Sequence, residues 1–134
     1  TLEHLPALDS GRGTVTRAAC YAVRDNPRAL LVFTWSGKTA LLASKSRPPM
    51  PIYAFTPDPR VCDRLSLAWG VVPLRIPELN SFDDQIAAAE KALLRRGLVQ
   101  DGTEVVVLAG DGPLRGGNTL MKLETVDGKA TGLT

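Results

Sequence analysis

The sequence predicts a three-layer α/β/α sandwich on a mixed five-stranded sheet, and three observations carry that prediction. Four short apolar runs, at 29–33, 52–55, 71–74 and 105–109, alternate with segments of helical spacing, the pattern of parallel strands joined by crossover helices. The runs at 29–33 and 105–109 hold no polar residue, so those strands are expected to be buried on both faces. A fifth strand at 119–126 follows the fourth through residues 110–117, too short a connection for a parallel crossover, and should run antiparallel at the sheet edge.

Each element has a local cause. Residues 1–13 contain Pro6, Gly11 and Gly13 without a sustained period and read as a lead-in segment; the domain proper spans 14–126, and 127–134 form a tail. Thr14 is placed to cap a helix whose stripe is Val15, Ala18, Ala19, Ala22 and Val23, ending at Asn26-Pro27. After the first strand, 39–46 is helical and stops at Arg47-Pro48-Pro49, because proline disfavours helix in the residue before it. Asp58 is the expected N-cap of the next helix, with Pro59 at the first helical position, and its apolar face runs through Val61, Cys62, Leu65, Ala68 and Trp69 to a stop at Gly70. Ser81 and Asp84 form a capping-box pattern for a helix that buries Phe82, Ile86, Ala89 and Leu93 and turns Asp84, Glu90, Lys91 and Arg95 outward until Gly97. Asp101-Gly102 then turns the chain into the fourth strand.

Composition narrows the function. A chain of 134 residues with 44% hydrophobic and 22% charged content is one globular domain able to bury its own core. Sixteen Lys and Arg against 14 Asp and Glu leave a net charge of +2, too small and too interleaved for nucleic acid or an anionic membrane to be the partner. Cys20 and Cys62 have no metal or redox spacing and read as buried thiols, and no run is long enough to span a bilayer, so the expected location is cytoplasmic. His4, the single histidine, lies in the irregular lead-in, which removes histidine-based nucleophilic catalysis.

The stretch that carries chemistry is Thr34-Trp35-Ser36-Gly37-Lys38-Thr39, where a buried strand delivers a hydroxyl-rich turn to a helix start. Amides, hydroxyls and the positive end of the helix converge there, which suits a phosphate or sulfate. A triphosphate P-loop is excluded, since it requires glycine at the position held by Val32. Two readings remain: a monophosphate cradle, or Thr34 and Ser36 merely capping the helix. Arg115, with Gly116 and Gly117 in the loop after the fourth strand, is a candidate second anion contact or a solvated arginine. Lys45 and Arg47 read as surface charge, and Trp69 as a core or interface residue. An independent phosphotransferase lacks support, because no carboxylate cluster or base accompanies the turn.

Five motifs in order, Thr34-Trp35-Ser36-Gly37-Lys38-Thr39-Ala40, Ser44-Lys45-Ser46-Arg47-Pro48, Pro51-Ile52-Tyr53-Ala54-Phe55-Thr56, Leu67-Ala68-Trp69-Gly70-Val71-Val72-Pro73 and the 101–123 region closing on Gly117-Asn118-Thr119-Leu120-Met121-Lys122-Leu123, resemble the C-terminal domain of pyruvate kinase. The resemblance spans 14–126. It implies the strand order 3-2-1-4-5 and a regulatory, subunit-contact role in a homo-oligomer, whether as part of a pyruvate kinase or as a free-standing relative. It also implies that this chain has no catalytic residue and no cofactor of its own, since magnesium, potassium, phosphoenolpyruvate and ADP are held by a separate barrel. In effector-responsive members the loop matching Thr34, Trp35, Ser36, Gly37, Lys38 and Thr39 grips a phosphate of a sugar phosphate such as fructose 1,6-bisphosphate. This chain departs from the bisphosphate-binding members by carrying Gln85 where they have an arginine, and Gly116-Gly117-Asn118 where many have threonine before the asparagine. A monophosphate or sulfate is therefore the expected ligand.

Overall fold

The computed structural model describes residues 28–110 and 120–128. The lead-in segment, the helix expected at 14–26, and the loop residues Arg115, Gly116 and Gly117 lie outside the described residues. The elements are β1 (Ala29–Phe33), α1 (Lys38–Lys45), β2 (Ile52–Thr56), α2 (Pro59–Leu65), β3 (Val71–Arg75), α3 (Phe82–Arg95), β4 (Glu104–Ala109) and β5 (Leu120–Thr125). They form one sheet in the order β3-β2-β1-β4-β5, as the resemblance implies. β1 pairs in parallel with β2 and with β4, β2 pairs in parallel with β3, and β5 closes the edge antiparallel to β4.

Alternation along the strands feeds two cores. Leu31 and Phe33 of β1 point to the side covered by Ile86, Ala89 and Leu93 of α3, together with Phe55, Val105 and Val107. Leu30 and Val32 point to the opposite side, against Ala40 and Ala43 of α1 and Val61 and Leu65 of α2. Burial on both faces explains why β1 and residues 105–109 of β4 carry no polar residue. Phe33 ties the first core together, stacked on Phe55 at 5.3 Å and edge-on to Phe82 at 5.7 Å. Each such fully buried large side chain contributes about 1.5–3 kcal/mol.

The caps follow the sequence. Asp58 Oδ1 accepts the Arg60 amide at 2.9 Å and Ser81 Oγ accepts the Asp84 amide at 3.1 Å, each satisfying a first-turn donor. β3 runs through Pro73, which an edge strand accommodates because one side of its hydrogen-bonding ladder has no partner.

Three details depart from expectation. α2 ends at Leu65, before Ala68 and Trp69: Ser66 Oγ donates back to the Asp63 carbonyl at 2.6 Å, and Gly70, at φ 71°, reverses the chain. Trp69 is half-exposed, its carbonyl taking a 2.7 Å hydrogen bond from Ser44 Oγ and its ring covered by the Arg47 guanidinium at 4.8 Å, so Arg47 is more than solvated charge. Glu90, expected on the solvent side of α3, is buried at 3% exposure. Helical spacing locates the core-facing stripe but says nothing about which flank a distant strand will cover. Cys62 is half-buried, with its thiol pushed up first by burial and then by the charge of Asp63.

Candidate functional site

The turn between β1 and α1 is built from its own side chains. The Thr34 amide still belongs to the sheet, donating to the Phe55 carbonyl at 3.0 Å, while Thr34 Oγ1 accepts the Gly37 amide at 2.8 Å. Gly37 sits at φ 94°, the left-handed region that glycine enters without steric cost, and it starts α1 with its carbonyl accepting the Leu41 amide at 3.0 Å. Ser36 Oγ accepts the Lys38 amide at 3.3 Å. The hydroxyls of Thr34 and Ser36 therefore hold the turn, while the N-cap itself is Gly37, with no side-chain cap, and the first-turn amides of α1 point out of the helix end.

α2 supports this turn from beside it. A Cβ on Gly37 would lie 3.3 Å from Val61 Cγ1 and 3.6 Å from Leu65 Cδ2, so glycine also lets α2 pack tightly there. From the outer face of α2, Arg64 Nη2 donates to the Ser36 carbonyl at 3.4 Å. Arg64 is a residue the sequence did not single out, and no local spacing ties it to a turn 28 positions away. With exposed Lys38 it gives the turn two cations. Asp58 faces a partner of its own, Arg60 at 3.2 Å, whose guanidinium hydrogen bond holds the carboxyl below its ordinary range.

The candidate residues differ in access. Trp35 is 39% exposed, Lys38 is exposed and Ser36 is half-buried, whereas Thr34 and Gly37 are buried and Thr39 is sealed at 0% exposure. Thr39 points at the neighbouring strand end. A Cβ on Gly110 would collide with Thr39 Oγ1 and come within 2.8 Å of its Cγ2 and 2.9 Å of its Cβ. Because β1 and β4 are neighbours, the start of the second glycine-rich loop lies directly on the first turn of α1. The two loops that the sequence placed after the first and fourth strands thus leave the sheet side by side, at the carboxyl ends of parallel strands where ligands of such folds bind. Among the described residues, no group of three or more His, Cys, Asp or Glu could hold a metal ion, and no helix is long and apolar enough to cross a membrane.

Comparison with known proteins agrees with this architecture. The family model described as "Pyruvate kinase, alpha/beta domain" matches residues 13–123. The pyruvate kinase of Corynebacterium efficiens is 36% identical over 121 residues, which are 90% of this chain and 25% of that protein. That of Lactococcus lactis is 35% identical over 120 residues, 86% of this chain and 24% of its own length. The solved structure titled "Cryptosporidium parvum pyruvate kinase in complex with ADP" superposes with a TM-score of 0.81 at 24% identity, covering 91% of this chain and 25% of that one, and so shares the fold. The chain spans about a quarter of these relatives, with the sheet order and antiparallel β5 described above, and it belongs to the pyruvate kinase alpha/beta domain family.

Proposed function

We propose that this domain is the regulatory and subunit-contact part of a cytoplasmic pyruvate kinase, or of a free-standing relative, and takes a phosphate or sugar monophosphate between the 34–39 turn and the loop that begins at Gly110. The observation that carries the reading is the seating of Gly110 on Thr39, which supports a single cleft under both loops. Ser36, Lys38 and the first-turn amides of α1 would hold the phosphate, Trp35 would flank the sugar, and Arg115 with Gly116 and Gly117 would be the second anion contact. Bond-making chemistry, with its magnesium and potassium, would reside elsewhere in the parent enzyme. Binding would act on subunit arrangement only by the difference in affinity between two states.

Titration calorimetry with inorganic phosphate, glucose 6-phosphate and fructose 1,6-bisphosphate tests the pocket. Monophosphate binding that weakens in Ser36→Ala and Lys38→Met is the expected result. A second reading, a subunit-contact domain without a ligand, is favoured by the sealing of Thr39 and by the use of the Thr34 and Ser36 oxygens inside the turn. Heat-free titrations with all three phosphates, alongside dimers in sedimentation, would select it.

A further inference from the structure

We propose that Glu90 is a proton-operated latch that fastens β5 and the turn after it to α3 when neutral and loosens them when ionised. Glu90 sits on the flank of α3 at 3% exposure, and its Oε1 has no hydrogen-bond partner. A carboxylate buried without full hydrogen bonding is costly, whereas the protonated form carries no charge to desolvate. The charged groups that face it among the described residues make matters worse for the anion: Glu124 from β5 and Asp127 from the turn after β5. Lys122 of β5 is the cation on that side, and it is engaged with Glu124 at 3.2 Å. The core on that side of the sheet is otherwise apolar, with Ala89 and Leu93 of α3 and Val105 and Val107 of β4. Against these, the anion is favoured by a hydrogen bond from the Asp127 backbone and, more weakly, by the charge of Lys122.

The placement gives the titration a structural consequence. Register pairing puts Lys122 and Glu124 on the α3 side of β5, opposite Val107 and Val105. The following turn is anchored by Val126, buried in the same core, whose carbonyl accepts the Gly102 amide at 2.8 Å, and by Gly128, whose amide donates to Asp101 Oδ1 at 2.6 Å. Repulsion at Glu90 pushes on β5 and on this turn together. β5 has a strand on one side alone, so it can yield without opening the rest of the sheet.

Burial, with Glu124 second, lifts the Glu90 carboxyl from its ordinary 4.5 to about 7. The folded pKa is the higher one, so the latch contributes fully below the unfolded value and is lost as pH rises through the folded value. Amide exchange of residues 121–125, expressed as protection factors, should therefore fall roughly tenfold or more between about pH 5.5 and 8.5 in the 134-residue chain. Glu90→Gln keeps a neutral group of the same shape and should flatten that profile. Glu124→Gln, which leaves Glu90 in place, should shift its midpoint upfield in acidity, to lower pH. Protection that falls equally in Glu90→Gln and the parent, or a parent profile that is flat across the range, overturns the latch; should Glu90→Gln not fold, an unmoved midpoint in Glu124→Gln overturns it as well.

Discussion

Replacing Gly110 with alanine isolates the contact on which the proposed phosphate site rests. Gly110 has no left-handed φ, so the substitution is not a backbone problem but one of space. The added methyl would overlap Thr39 Oγ1 and stand 2.8 Å from Cγ2 and 2.9 Å from Cβ, both well inside ordinary carbon contact. Thr39 cannot rotate away at little cost, because it is β-branched, lies in the first turn of α1 and is sealed from solvent. Overpacking of this kind costs about 1–3 kcal/mol. Urea unfolding followed by tryptophan fluorescence should show Gly110→Ala destabilised within that range, with an unchanged m-value. Thr39→Ala removes two of the three close atoms and leaves the Cβ contact, so the double variant should recover about 1 kcal/mol relative to the sum of the single changes. A Gly110→Ala protein as stable as the parent, or single effects that simply add, would refute the seating of Gly110 on α1.

Other perturbations separate the cores, the caps and the site. Leu93→Ala, at a fully buried position beneath α3, should cost about 2–5 kcal/mol in the same unfolding assay. Ser81→Ala removes the acceptor of the Asp84 amide and should cost about 1 kcal/mol, with early exchange of the first-turn amides of α3. Lys38→Met should leave stability within about 0.5 kcal/mol, because the side chain is exposed, while weakening phosphate binding about tenfold by calorimetry. Arg64→Ala should weaken the same binding by a smaller factor, since its guanidinium touches the backbone of the turn at 3.4 Å.

How far the chain could be read depended on the range of the interactions involved. β1 and β4 were legible because burial on both faces leaves an uninterrupted apolar run, and Asp58 and Ser81 because a cap acts within three residues. The antiparallel edge followed from the short connection before it. The adjacency of β1 and β4 had no local signature and came from the family resemblance alone. Glu90 was assigned to the wrong side because its burial is caused by β5 and the 126–128 turn, far along the chain. Arg64 and Gly110 share that origin: each matters through one tertiary contact with the 34–39 turn.

The same reasoning bears on whether capping and anion binding are rival readings of that turn. A hydroxyl has one donor and two acceptor positions, so accepting the Lys38 amide does not by itself use up the hydrogen-bonding capacity of Ser36 Oγ. Using the hydroxyl as an internal acceptor also fixes its position before any ligand arrives, which lowers the ordering cost of binding. Thr39 is sealed beneath Gly110, so its visible contribution is to set the spacing between the first turn of α1 and the end of β4. The turn thereby divides into buried residues that build it, Thr34, Gly37 and Thr39, exposed residues that the proposed phosphate would meet, Trp35 and Lys38, and Ser36, which would do both. Substitutions at Thr34, Gly37 and Thr39, and Ser36→Ala, should change stability and binding together, whereas those at Trp35 and Lys38 should change binding alone, and a Lys38 variant that unfolds more easily than a Thr39 variant would break that division.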